Sequence, residues 1–104
     1  MAKKSTFDFD LIIIGSGAGG GVAAHQAIKA GRSAAIVEAD VMGGECPNIG
    51  CVPTKALLQA AEVYEAAKHG NRFGIRGTTV GYNYPSIKAW KDLAVRRTGT
   101  YLGE

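Results

Sequence analysis

A short β-branched run, Phe9 to Ile14, passes directly into Gly15-Ser16-Gly17-Ala18-Gly19-Gly20, a G-x-G-x-x-G. A strand cannot continue through so many glycines, and a helical pattern starts inside them. Gly20, Ala23, Ala24, Ala27 and Ile28 recur at the spacing of one helix face, and Gly31 is placed to end that helix in the left-handed conformation. Ser33 to Val37 predicts a second strand, with Glu38 at its end. Residues 9–38 therefore predict a βαβ unit whose strands are parallel and buried. Gly15 permits the tight turn, Gly17 lets a pyrophosphate approach the backbone, and Gly20 allows helix and strand to pack closely. Ala18 and Gly19 open a helix whose free N–H groups and partial positive charge face the phosphates. Glu38, 18 residues beyond Gly20, is placed to accept hydrogen bonds from adenosine ribose hydroxyls. Alone, G-x-G-x-x-G is a weak signal, and Glu38 alone would be a solvated carboxylate. With strand, helix and acid in order, the unit predicts dinucleotide binding, without choosing between FAD and NAD.

The two cysteines, Cys46 and Cys51, stand with four residues between them at the head of a second helical run. On an ideal helix such positions have Cα atoms roughly 8–9 Å apart. A disulfide tolerates only about 4.4–6.8 Å. If these two pair, the backbone between them is distorted, and Pro47, Gly50 and Pro53 each oppose a regular turn there. A strained or exposed bridge is the usual working kind, so the segment reads as a redox dithiol. The plainer alternative is two unpaired buried thiols. No metal site is expected: two cysteines supply half a tetrahedral shell, and His25 and His69 have no ligand-like spacing.

The whole run Gly43-Gly44-Glu45-Cys46-Pro47-Asn48-Ile49-Gly50-Cys51-Val52-Pro53-Thr54-Lys55 resembles the redox-active segment of the FAD-dependent pyridine nucleotide–disulfide oxidoreductases. That family includes dihydrolipoyl dehydrogenase, glutathione reductase and mercuric reductase. Its pattern is close to G-G-T-C-x-N-x-G-C-x-P-[ST]-K, which Glu45 breaks where Thr is usual. The resemblance implies that Gly15–Gly20 and Glu38 hold the ADP part of FAD. It implies that Cys51 lies next to the flavin as a thiolate, while Cys46 is the interchange thiol that meets the external disulfide. Lys55 would lie near the flavin, and Gly44 and Glu45 would line the FAD. A carboxylate beside a pyrophosphate is unfavourable, so the Glu45 side chain is expected to turn away. The fold implied is α/β: a Rossmann-like FAD-binding unit, incomplete relative to the family's FAD domain. The activity implied is disulfide oxidoreduction by an enzyme that couples NAD or NADP to a Cys46–Cys51 dithiol. Dihydrolipoyl dehydrogenase is the first expectation, and mercuric or glutathione reductase the alternative. The expected partners are a disulfide-containing small molecule or a lipoyl domain, and a second subunit in a family-type homodimer. A different class altogether would be a nucleotide-binding module without redox turnover.

Residues 1–104 are thus expected to form one partial FAD-binding domain: the fingerprint at 9–38, the dithiol segment and helix at 43–68, and a connection with a further helix at 69–104. A chain of 104 residues with 46% hydrophobic content can bury a modest core. The net charge of +3 is spread without a dense basic block, so no nucleic-acid partner is expected. The apolar run Leu11 to Ile14 is too short to span a bilayer, and Met1 to Phe9 lacks the apolar core of a secretory signal. A cytoplasmic location is expected, and inactivity of these residues by themselves. Pro53 to Lys68 predicts one helix, with Leu57, Ala60, Ala61, Tyr64 and Ala67 as one core stripe and Ala56, Val63 and Ala66 as a second. His69 to Gly81 predicts a glycine-punctuated connection, with a short strand at Phe73–Ile75 or Thr78–Val80. His69 is expected to act as a dipole partner at a helix C-terminus. Pro85 to Tyr101 predicts a helix with Ile87, Trp90, Leu93, Ala94 and Tyr101 on one side, and Lys88, Lys91, Arg96 and Arg97 on a solvated other side.

Overall fold

The computed structural model describes residues 6–77 and 79–102, and side chains as far as residue 99. Strand β1 (Leu11–Ile14) runs into a turn at Gly15 and then helix α1 (Ala18–Lys29), and the chain returns as β2 (Ala34–Val37). The strands are parallel, Leu11 opposite Ala34 and Ile14 opposite Val37. The βαβ expectation holds, with both strands starting one or two residues later than the apolar pattern suggested. Gly31, with φ 71°, follows the helix C-cap Ala30 in the left-handed region that glycine tolerates.

At the start of β1, Asp10 and Ser33 clasp the two strands. The Asp10 carboxylate accepts the Ser33 amide and the Ser33 hydroxyl, each at 2.9 Å, while the Asp10 amide donates to Ser33 Oγ at 2.9 Å. The Ser33 amide, then its hydroxyl, then Arg32 at 3.6 Å hold the Asp10 carboxyl below the usual carboxylate range. At the other end, the Gly15 amide donates to Val37 O at 2.8 Å and extends the ladder into the glycine turn.

The dithiol segment forms a short helix α2 (Glu45–Asn48), and α3 (Cys51–Lys68) follows after a break. A 3-10 turn (Gly70–Phe73) leads towards the long α4 (Tyr84–Leu102), which packs along α3 and against α2. His69 is the C-cap of α3, its Nδ1 within 3.0 Å of Glu65 O and 3.5 Å of the Glu65 carboxylate, at the helix end where the sequence placed it. No strand forms at Phe73–Ile75: Phe73 closes the 3-10 turn and Gly74 follows in the left-handed region at φ 77°. Val80 lies outside any strand, and Thr78 is outside the described residues.

Burial departs most from expectation. Ile12 is 63% exposed and Ile14 91% exposed, so the strands are not the buried pair their apolar sequence suggested. Two strands with one helix across them cover only part of the sheet. The stripes of α3 fare alike: Ala56 is buried, but Leu57, Ala61, Val63, Ala66 and Ala67 are exposed, because α4 is the one long helix along this element. On α4 Lys88, Arg96 and Arg97 are exposed, as expected of a solvated basic side, and Lys91 is the exception. Lys88 and Lys91 both pair with Asp92, Lys88 at 2.8 Å, and Lys91 is half-buried. Ile87, Leu93 and Ala94 face inward as expected, Trp90 stays 46% exposed, and the side chain of Tyr101 is outside the described residues. No described helix is long and apolar enough to cross a membrane.

Candidate functional site

Three backbone segments meet at the end of β1: the glycine turn, the end of β2 and the start of the dithiol segment. Gly15, at φ 92°, turns the chain where an L side chain would be strained. A Cβ on Gly20 would fall 2.1 Å from Gly15 O, so only glycine lets α1 lie this close to the strand end. By contrast, a Cβ on Gly15, Gly17 or Gly19 would meet nothing within 4 Å. That open cradle lies at the start of α1, whose first turn carries no acidic side chain and no side-chain cap. Gly17 is the N-cap and Ala18 the first helical residue. The amides at this end face outward with the positive end of the helix dipole.

Glu38 stands where the fingerprint put it, at the mouth of the turn. Its Oε2 accepts the Ser16 amide at 2.8 Å and the Ser16 hydroxyl at 2.5 Å, and its Oε1 accepts the Ala39 and Asp40 amides at 2.8 and 3.1 Å. The Ser16 hydroxyl first, then its amide and that of Asp40, bring the Glu38 carboxyl down to about 2. Ser16 itself escaped the sequence reading, because the x positions of the fingerprint set no residue type. A hydroxyl beside Gly15, with an acid at the end of the next strand, was the available signal. Ser16 Oγ also accepts the Gly43 amide at 2.9 Å, so it joins all three segments.

Gly44, at φ 73°, packs against the turn so closely that a Cβ there would lie 2.9 Å from Gly17 Cα. Asn48 fastens the same segment, its Nδ2 donating to Met42 O at 3.1 Å and Gly44 O at 2.7 Å. The distortion expected between the cysteines is present. The amides of Ile49 and Gly50 both reach back to Glu45 O, at 2.8 and 2.7 Å, and α3 starts afresh at Cys51. Cys46 and Cys51 are free thiols, both exposed. Neither is the buried thiol of the plainer alternative. The Cys51 side chain first, then burial and the nearby charge of Cys51, push the Cys46 thiol up, against downward pulls from the Cys51 amide and then Lys55. Lys55 is exposed on the first turns of α3.

A cleft of about 370 Å³ runs from the glycine turn to the dithiol, walled by Ser16, Gly17, Val22, Cys46, Pro47 and, from α4, Thr98. A second, of about 190 Å³, lies on the acid side between Glu38, Asp40, Gly44, Glu45 and Asn48. Glu45 is exposed, on the acid-side cleft rather than the dithiol cleft. Together the structure gathers Gly15, Gly17, Ala18, Gly19, Gly20, Glu38, Gly44 and Cys46 around one end of the sheet. An open glycine cradle, a helix N-terminus and an acid at the turn suit a dinucleotide such as FAD. No group of three or more His, Cys, Asp or Glu capable of holding a metal occurs among the described residues.

This arrangement is a βαβ unit with a glycine turn after its first strand and a dithiol segment built against that turn. The family model described as pyridine nucleotide-disulphide oxidoreductase matches residues 9–100, and the chain belongs to that family. It is 46% identical over 88 residues to a dihydrolipoyl dehydrogenase of Chlamydia trachomatis, covering 85% of this chain and 19% of that protein. A dihydrolipoyl dehydrogenase of Bacillus subtilis is 40% identical over 95 residues, covering 90% of this chain and 20% of the relative. A mercuric reductase of Streptomyces lividans is 48% identical over 88 residues, covering 84% and 19%. The chain thus spans about a fifth of the length of these relatives.

Proposed function

We propose that these residues form the N-terminal, FAD-binding part of a flavoprotein disulfide oxidoreductase, most similar in role to dihydrolipoyl dehydrogenase. The observation that carries this is the single cleft lined by both Gly17 and Cys46, which sets the nucleotide turn against the dithiol. Gly15, Gly17, Ala18, Gly19 and Gly20 would hold the pyrophosphate, and Glu38 the adenosine ribose. Gly44, Glu45 and Lys55 would line the remainder. FAD, when bound, supplies a two-electron relay between NAD or NADP and the dithiol. Cys46 is the thiol that meets substrate. As thiolate it attacks one sulfur of an external disulfide, expelling the other as a thiolate that takes up a proton. Cys51, also as thiolate, then attacks Cys46 in the mixed disulfide, forming the Cys46–Cys51 bond and releasing the reduced substrate. In the dihydrolipoyl direction the same exchanges run backwards, and a dithiol near glutathione-like potentials permits both, since about 30 mV corresponds to only 1.4 kcal/mol.

The partners proposed are a lipoyl domain or small disulfide, and a second subunit in the full-length enzyme. The cytoplasm is the proposed location, a reducing compartment where free thiols persist. These residues by themselves are proposed to be inactive, since turnover needs an NAD(P)H site beyond the two clefts described. A mercuric reductase remains the second reading, favoured by the 48% identity to the Streptomyces lividans enzyme. The test is to assay the enzyme that carries these residues with dihydrolipoamide and NAD, and with mercuric ion and NADPH. Dihydrolipoamide-dependent NAD reduction, lost in Cys46→Ser and in Cys51→Ser, is expected. Turnover that survives both substitutions would remove the redox role.

A further inference from the structure

Every acceptor position on the Glu38 carboxylate is taken. Two donors reach Oε2, the Ser16 amide at 2.8 Å and hydroxyl at 2.5 Å, and two amides reach Oε1, from Ala39 at 2.8 Å and Asp40 at 3.1 Å. An ionised carboxylate offers about four lone-pair sites, so a ribose hydroxyl that bonds to Glu38 must displace a donor. Three of the four donors are backbone amides, held by the chain itself. The fourth, the Ser16 hydroxyl, swings about one side-chain torsion between staggered positions. It is the donor free to yield.

The same oxygen accepts the Gly43 amide at 2.9 Å, in a residue that is only 9% exposed. Gly43 leads through Gly44, seated on Gly17, to Cys46. We propose that Ser16 is a positioning residue that carries the occupancy of Glu38 to the dithiol segment. When the vicinal hydroxyls of a ribose engage Glu38, the Ser16 hydroxyl turns away and its bond from the Gly43 amide is released. The segment that carries Cys46 then loses one of its ties to the glycine turn. The ligand class is a nucleotide with free 2′ and 3′ hydroxyls, and the proposal rests on the dinucleotide-binding reading above.

The probes are ADP and 2′,3′-dideoxy-ADP, which share the diphosphate and differ only in the ribose hydroxyls. Amide hydrogen exchange at Gly43 is followed by NMR on the whole chain at saturation with each, beside iodoacetamide alkylation of Cys46. ADP is expected to speed Gly43 exchange over dideoxy-ADP by roughly two- to tenfold, the span of one net hydrogen bond. Cys46 alkylation is expected to rise in the same sense. In Ser16→Ala, Gly43 exchanges fast with either nucleotide, and in Ser16→Thr, which keeps the hydroxyl, the difference returns. Equal Gly43 exchange with both nucleotides in the unmodified chain overturns the proposal while leaving dinucleotide binding intact. An ADP-specific acceleration that persists in Ser16→Ala overturns it too. If neither nucleotide perturbs any amide of Gly15–Gly20, the dinucleotide-binding reading falls and the proposal falls with it.

Discussion

The Cys46 thiol is pushed to higher pH chiefly by the Cys51 side chain, with burial and the charge of Cys51 adding to the effect and the Cys51 amide and Lys55 opposing it. Two substitutions separate these contributions. Cys51→Ala removes the thiol and its charge together, so the pH of half-maximal Cys46 alkylation is expected to fall. Lys55→Met removes the one opposing charge, so the midpoint is expected to rise. Iodoacetamide alkylation of Cys46 followed against pH measures both. An unmoved midpoint in Cys51→Ala would mean that the two sulfurs do not interact in solution. The shift bears on reactivity, because the thiolate and not the thiol is the nucleophile. An attacking thiol works best with a pKa near the ambient pH. A thiol pushed upward by its neighbour is therefore expected to react faster near neutral pH when the two sulfurs are drawn apart.

Among the elements, the strand–turn–helix junction leaves the least tolerance. A Cβ on Gly20 would lie 2.1 Å from a backbone oxygen and 3.2 Å from Ile13 Cγ2, and a backbone atom cannot swing aside as a side-chain end can. Gly20→Ala is expected to push α1 off β1, at a cost of about 1–3 kcal/mol or more, as overpacking usually does. Gly19→Ala, with nothing within 4 Å, serves as the control and is expected to keep the stability of the parent sequence. Chemical denaturation followed by circular dichroism compares them, and equal midpoints would show that the junction is looser than its geometry. This junction was legible in the sequence because its demands are local: a positive φ, a close approach and a helix stop each need glycine wherever they fall. The break between Cys46 and Cys51 was legible for the same reason, through Pro47 and Gly50. Ser16 and Thr98 were not. Ser16 matters only because Glu38 and Gly43 come to it from 22 and 27 residues away, and Thr98 reaches the cleft only because α4 folds back on α2. The burial of β1 and α3 was misjudged because apolar sequence states what a surface prefers, and the neighbour that would satisfy it is a separate fact.

At the scale of the whole molecule, that uncovered surface sets what the chain can do unaided. The radius of gyration is 21.1 Å, with extents of 70 × 26 × 17 Å. A compact domain of about 100 residues has a radius of roughly 13 Å. Ile14, next to the glycine turn, and Ile49, between the cysteines, are 91 and 76% exposed, and Phe7 and Phe73, outside both clefts, are 78 and 80% exposed, so apolar surface is open to water at the site and away from it. The nucleotide turn is nevertheless internally complete: the cradle, the helix N-terminus and Glu38 are all held by contacts within residues 9–43. The cleft beside Cys46, where the flavin is proposed to lie, is not, since Cys46, Pro47, Val52 and Thr98 form one wall of an open cleft. An aromatic ring system laid there would bury one face at most, and affinity follows the apolar area removed from water. FAD is therefore expected to bind the chain only modestly better than ADP, by roughly one factor of ten, or 1.4 kcal/mol. Its flavin fluorescence should be little changed. Calorimetric titration with each ligand, beside flavin fluorescence, measures the difference. Submicromolar, stoichiometric FAD binding a thousandfold tighter than ADP would show that these residues close a full flavin site by themselves. That result would overturn the view that the flavin site is completed by further protein surface.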